Sequence, residues 1–102
     1  MKLYHSDMEK KIFTNSYLFR ALDYSRKNNE NLMRSVSCGC FSCETLMLAN
    51  GIRDWKMEED GRLTAVCPYC GEETVIGDDA VYPMKKEFLR EMKRFWYDRN
   101  RR

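Results

Sequence analysis

The stretches CGCFSC (residues 38–43) and CPYCGEE (residues 67–73) hold all five cysteines of this 102-residue chain. They contain two CxxC pairs separated by 23 residues, Cys40 with Cys43 and Cys67 with Cys70. Two intervening residues let both thiolates of a tight turn reach one ion, and two such turns supply the four sulfurs of a tetrahedral zinc site. We therefore predict one zinc ion bound by these four cysteines.

Cys38 leaves a second assignment open. Only one residue separates Cys38 from Cys40, which is too short for the usual turn, but four residues separate it from Cys43, a spacing that zinc sites allow. We favour Cys40 and Cys43 as ligands, with Cys38 as a free and buried thiol. A redox or zinc sensor that uses Cys38 as a spare thiol is a further reading, in which basic neighbours such as Arg34 would lower its pKa.

The predicted zinc ion is structural. A catalytic zinc keeps one coordination position for water, whereas four thiolates fill a tetrahedral site. Other catalytic patterns are also missing from the sequence: His5 is the only histidine, there is no glycine-rich phosphate loop, and adjacent carboxylates usually face solvent. We therefore expect no enzyme.

Composition and length predict one small domain over residues 1–102. No apolar run approaches the roughly 20 residues that span a bilayer. The first 13 residues, MKLYHSDMEKKIF, lack the apolar core of a signal peptide. A reducing cytoplasm, where CxxC pairs favour metal over disulfides, and the absence of a membrane partner are the resulting expectations.

Patterns along the chain predict an α+β fold, in which a small zinc ribbon of β-hairpins (residues 32–77) lies between two helices. Ser6 and Glu9 have the spacing of a capping box, which predicts a helix over 7–27 that ends at the asparagine-rich residues 28–31. Residues 32–37 are expected to form a short strand.

After the first cysteine cluster, alternation over 52–57, an Asp-Gly turn and a return over 63–66 predict a hairpin, followed by a strand at 74–76. Pro83 and a stripe of apolar residues at helical spacing predict an amphipathic helix over 83–98. Its apolar stripe is expected in the core.

Charge is unevenly distributed along the chain. Residues 44–84 carry nine acidic and three basic residues, whereas residues 85–102 carry eight basic and three acidic ones. This separation of acidic and basic segments is more informative about binding partners than the net charge of +2.

The runs CGCFSC, CPYCG and VIG, followed by YP, FL, Met92 and Trp96, resemble in matching order a family of short stand-alone bacterial proteins, usually labelled only as cytoplasmic proteins, that look like zinc ribbons. The resemblance covers about residues 21–97, and Tyr24 stands where that family has a histidine. It implies a zinc ribbon with Cys40, Cys43, Cys67 and Cys70 as ligands, and no settled activity. Small proteins of this kind are also similar in type to immunity proteins that neutralise bacterial toxins, which is an analogy.

Two functions follow as hypotheses. The first is an immunity protein that covers a toxin, with an acidic docking surface and aromatic anchors. Its predicted contact residues are Trp55, Glu58, Glu59, Asp60, Glu72, Glu73, Asp78 and Asp79, with Tyr69 as a second aromatic anchor.

The second hypothesis is a ribbon bound to nucleic acid or the ribosome through the basic C-terminal helix, because clustered Lys and Arg side chains contact phosphates.

Overall fold

The computed structural model describes residues 13–100. Its first helix, α1, spans Asn15–Leu22 and begins where the Thr14 hydroxyl accepts a hydrogen bond from the Tyr17 amide at 3.2 Å. The prediction of one continuous helix over 7–27 is wrong, because Thr14 has an extended backbone and caps the helix. The predicted capping box at residues 6–9 lies outside the described residues.

After α1 the chain forms a 3₁₀ turn and a second short helix, neither of which was predicted from the sequence. A 3₁₀ turn at Asp23–Ser25 ends the first helical segment, and a second short helix, α2, spans Asn29–Met33. Residues 28–31 therefore begin a helix rather than end one, and the strand predicted over 32–37 is wrong except at its last residue. Burial of Leu32 in the core keeps this turn helical.

Within residues 13–100, five short strands form two antiparallel sheets: β1 (Ser37–Cys40), β2 (Thr45–Leu48), β3 (Asp54–Met57), β4 (Leu63–Val66) and β5 (Val75–Gly77). The β3–β4 pair confirms the hairpin predicted from the Asp-Gly turn. In the three-stranded sheet, β1 lies between β2 and β5. The strand predicted over 74–76 corresponds to β5, one residue further along the chain. No strand was predicted from the sequence at the position of β2.

The three-stranded sheet is the middle layer of the fold. One face packs against the β3–β4 hairpin through a cluster that includes Cys38, Val75 and Ala65. The opposite face packs against the helices through Ile76 and side chains of the C-terminal helix. Gly39 allows this close approach, since a Cβ there would lie 2.9 Å from both terminal carbons of Leu89.

The C-terminal helix, α3, spans Lys86–Asn100 and begins later than the predicted residue 83. A 3₁₀ turn at Asp78–Ala80 and a left-handed Val81, with a φ of 66°, hold the preceding segment out of helical geometry. The apolar stripe is confirmed as core, because Phe88, Leu89 and Met92 are completely buried.

Asn28 joins the two sheets at their facing edges. Its buried amide nitrogen donates to the carbonyl oxygens of Val75 in β5 (2.8 Å) and Tyr24 (2.9 Å). Its Oδ1 accepts from the backbone amide of Ala65 in β4 at 3.0 Å. One side chain thus satisfies backbone groups of both sheets where no strand-to-strand pairing is described.

We predict that Asn28→Ala lowers the free energy of unfolding by about 2–4 kcal/mol, because it leaves a buried amide and a buried carbonyl without partners. Urea denaturation of the metal-loaded protein measures this loss. The matched control is Asn50→Ala at an exposed position, which should change stability by less than about 0.5 kcal/mol. Equal losses in the two variants would contradict a bridging role for Asn28.

Candidate metal centre

The four cysteines of the CxxC pairs come together at one point between the two sheets. Cys40 ends β1 and Cys43 precedes β2, so the first pair occupies the turn of the β1–β2 hairpin. Cys67 follows β4 directly, and Cys70 lies in the turn that leads toward β5. The site therefore connects the hairpin of one sheet to the edge of the other.

The sulfur positions fit a tetrahedral ion. All four Sγ atoms lie within 4.8 Å of one another, with Cys40 and Cys70 3.6 Å apart and Cys43 and Cys67 3.8 Å apart. Zn–S bonds of 2.3 Å require sulfur separations of about 3.8 Å, whereas a disulfide requires about 2.05 Å. The spacing is compatible with one metal ion and not with disulfides.

Backbone amides support the sulfurs in both turns. The amides of Ser42 and Cys43 hydrogen-bond the Cys40 sulfur, and the Tyr69 amide donates to the Cys67 sulfur at 3.4 Å. After each pair the backbone is left-handed, at Glu44 (φ 59°) and at Gly71 (φ 81°). Glycine adopts this geometry freely, so Glu44 is the unexpected member of the two.

The thiols have different tendencies to ionise. Burial raises the pKa of the Cys40 thiol, although hydrogen bonds from Thr74 and the backbone oppose that effect. Burial also raises the pKa of Cys70. At Cys43, burial is outweighed by hydrogen bonds with Thr45 and neighbouring cysteines, so the pKa of its thiol is lowered. Since a metal binds thiolates, a bound cation would supply the stabilisation that the buried Cys40 lacks.

Two threonines at the site had no sequence prediction. Thr74 Oγ1 lies 3.2 Å from the Cys40 sulfur, and Thr45 Oγ1 lies 3.1 Å from the Cys43 sulfur. Hydrogen bonds to coordinating sulfurs adjust their charge and orientation. The available signal was a threonine two residues after Cys43 and another four residues after Cys70.

Cys38 lies apart from the four-sulfur group. Its side chain is fully buried in the cluster between the sheets. Burial, with the nearby Cys67 and Asp78, raises its pKa to about 12. A reactive sensor thiol needs exposure and a lowered pKa, so these properties oppose the sensor reading.

The predicted acidic contact residues are separated into three groups. Near the β3–β4 turn, Glu58 pairs with Arg26 at 3.6 Å, and Asp60 pairs with Lys27 at 3.1 Å and with Arg62 at 3.2 Å. The Glu58 side chain is only 8% exposed. These three basic side chains line a groove of about 550 Å³, and their charges offset the carboxylates of the hairpin. Glu59 is exposed at the same turn.

The other two acidic groups lie beyond β4. Glu73 pairs with Lys56 at 3.6 Å, beside the exposed Glu72. Asp79 binds Arg34 at 2.9 Å.

Asp78 is held by the loop that precedes β1. Its carboxylate accepts hydrogen bonds from the amides of Ser37 and Val36, both at 3.1 Å, and from the Ser37 hydroxyl. These bonds, the Ser37 amide foremost, hold the pKa of the Asp78 carboxyl below its usual range.

Of the two predicted aromatic anchors, Trp55 is half-buried and packs against the core between the sheets, whereas Tyr69 is exposed.

The basic face of α3 is on the surface, as its spacing predicted. Lys85, Lys86, Arg90, Lys93 and Arg94 are all exposed. Arg90 and Lys93 each lie 3.7 Å from the carboxylate of Glu44, which is the acidic residue next to this face.

The cysteine group is the one cluster of three or more potential metal ligands found within residues 13–100. His5 lies outside that range. No helix in the described part of the chain combines the length and apolar character needed to cross a membrane. No family model matches the sequence, and no curated protein or solved structure shows significant similarity to it.

We predict that Cys40→Ala abolishes stoichiometric zinc binding and that Cys38→Ala retains about one zinc per chain. The reason is that only Cys40 belongs to the four-sulfur group. Zinc content after dialysis, with the absorption spectrum of the cobalt-substituted protein as a measure of sulfur coordination, tests both variants. Loss of zinc in Cys38→Ala with retention in Cys40→Ala would assign the ligand to Cys38 instead.

Proposed function

We propose that this chain is a non-catalytic zinc protein that acts by binding another protein, and that it is an immunity protein that neutralises a toxin. The observation that carries the proposal is the sulfur group itself. Four thiolates occupy all positions of a tetrahedral zinc ion, so the metal has no open position for substrate. Its binding free energy then contributes to folding, and the protein acts through its surface.

The surface offers one aromatic side chain for such contacts near the metal. Tyr69 is 70% exposed in the turn between Cys67 and Cys70, next to the exposed Glu72. A rigid turn held by metal presents this ring with little loss of conformational freedom on binding, which favours affinity. Trp55 contributes less exposed area, because much of its side chain is in the core.

A second function, binding of nucleic acid or the ribosome, is favoured by the exposed basic face of α3. Phosphate contacts need clustered Lys and Arg side chains and weaken steeply with salt. The exposed Glu59 and Glu72 on the hairpins oppose contact through the metal-bearing part of the molecule.

We predict that the tagged protein, purified from its own host, retains one protein partner at equal stoichiometry after nuclease treatment, together with about one zinc per chain. Co-expression of this chain should rescue cells from that partner if it is a toxin. Mass spectrometry, zinc analysis and a growth assay provide the measurements.

The matched charge variants separate the two functions. Lys85→Glu with Lys86→Glu changes the basic face of α3, whereas Arg53→Glu reverses an exposed charge elsewhere. Nuclease-sensitive, salt-sensitive retention that only the double variant loses would replace the first function by the second. Recovery of the zinc protein with neither kind of partner would reject both.

A further inference from the structure

The strand β2 has an unprotected outer edge. It pairs with β1 on one side, and no strand within residues 13–100 pairs with its other side. Edge strands are usually protected by Lys, Pro or a bulge, because their free amides and carbonyls can pair with another chain. The β2 sequence, Thr-Leu-Met-Leu, contains neither a charge nor a proline.

Apolar side chains are exposed beside this edge. Leu46 is 40% exposed and Leu48 is 61% exposed, and both lie on the helix-facing side of the sheet with Gly39. Leu89 of α3 fills the space above Gly39, but α3 leaves these two leucines partly uncovered.

A basic groove borders the same edge. Glu44 directly precedes β2 and contacts Arg90 and Lys93 of α3, which places this side of the helix next to the strand. The groove has a volume of about 320 Å³ and is lined by Glu44, Arg90, Lys93, Arg94 and Tyr97. Arg94 also pairs with Glu91 at 4.0 Å, so three basic side chains face two carboxylates and the groove keeps one net positive charge.

We propose that the β2 edge binds an extended segment of a partner protein that carries two apolar residues and an Asp or Glu on one face, at three successive alternate positions. Main-chain hydrogen bonds to the free edge would add the segment as a fourth strand, with its apolar side chains on Leu46 and Leu48. Its acidic side chain, on the same face at the end of the segment beside Glu44, would meet Arg90 and Lys93 at the basic groove. The inference rests on the proposed function in one respect, that the partner is a protein.

Charge and chemistry favour this occupant over two others. A second copy of the chain would present the same net-positive groove and would not supply the acidic side chains. A nucleic acid would satisfy the basic groove but has no apolar side chains to cover the leucines and no peptide backbone to pair with the strand. An acidic, partly apolar segment satisfies the edge, the leucines and the groove together.

A displayed library of ten-residue peptides tests the proposal, with two apolar residues at alternate positions, either Glu or Lys at the next alternate position on the same face, and Ser or Thr at the positions between. Selection on the zinc-loaded protein should enrich the Glu members. An enriched peptide should slow amide hydrogen exchange in residues 45–48, and methylation of its backbone nitrogens should abolish binding. Leu48→Asp should weaken binding at least tenfold, whereas Met57→Asp, on an exposed strand of the other sheet, should leave it unchanged.

The other outcomes overturn the inference. Enrichment of Lys members, no enrichment, or protection elsewhere than β2 would each do so, as would concentration-dependent pairing of β2 between copies or competition by an oligonucleotide with no peptide binding. If the protein recovered from the host binds equally well to wild type and Leu48→Asp, the proposed function survives and this surface is wrong. If no protein partner exists and no peptide binds, both the proposed function and the proposed β2 surface are wrong.

Discussion

The convergence of four cysteine sulfurs at one point is the constraint on which the rest of the structure depends. The two sheets have different strands and no described ladder between them, so they need another connection. Asn28 supplies one at their edges through two hydrogen bonds, one to each sheet, a contribution of about 2–4 kcal/mol. Zinc bound by four thiolates contributes about 10–16 kcal/mol, comparable to the whole stability of a typical domain, about 5–15 kcal/mol. A zinc ion held by these four sulfurs would therefore contribute more to stability than the hydrogen bonds of Asn28.

The central strand β1 contributes to the core between the sheets, to the contact with α3 and to the four-sulfur site through three successive residues. In β1, Cys38 fills the core between the sheets, Gly39 admits Leu89 from the helix layer, and Cys40 reaches the metal site. Successive residues of a strand point to opposite faces, so the Cys-Gly-Cys order places both cysteines toward the hairpin and the glycine toward α3. A larger residue at position 39 would push the helix away from the sheet. The extra cysteine is thus explained by packing, without a role in coordination.

The features that could be predicted from the sequence are those that neighbouring residues determine. The CxxC pairs, the Asp-Gly hairpin and the stripe of α3 each depend on spacing within one segment, and each is present in the structure. The helix α2 and the bridging role of Asn28 depend on residues more than 35 positions away, Ala65 and Val75. An asparagine in a polar run is locally indistinguishable from a turn residue. The left-handed backbone conformation of Glu44 could not be predicted from the sequence either, since glycine is the usual residue in that geometry.

The same distinction applies to charge. Counting residues predicts an acidic middle segment, but Arg26, Lys27 and Arg34 from the preceding segment pair with its carboxylates. The electrostatic potential of these carboxylates at a distance is therefore weaker than the number of acidic residues suggests. Opposite charges about 3–4 Å apart largely cancel beyond a Debye length of about 8 Å. Near β2 the balance is different: Glu44 faces both Arg90 and Lys93, so one positive charge remains uncompensated. An exposed apolar strand edge beside that charge offers main-chain, apolar and ionic contacts within one surface, which the paired carboxylates of the hairpin do not.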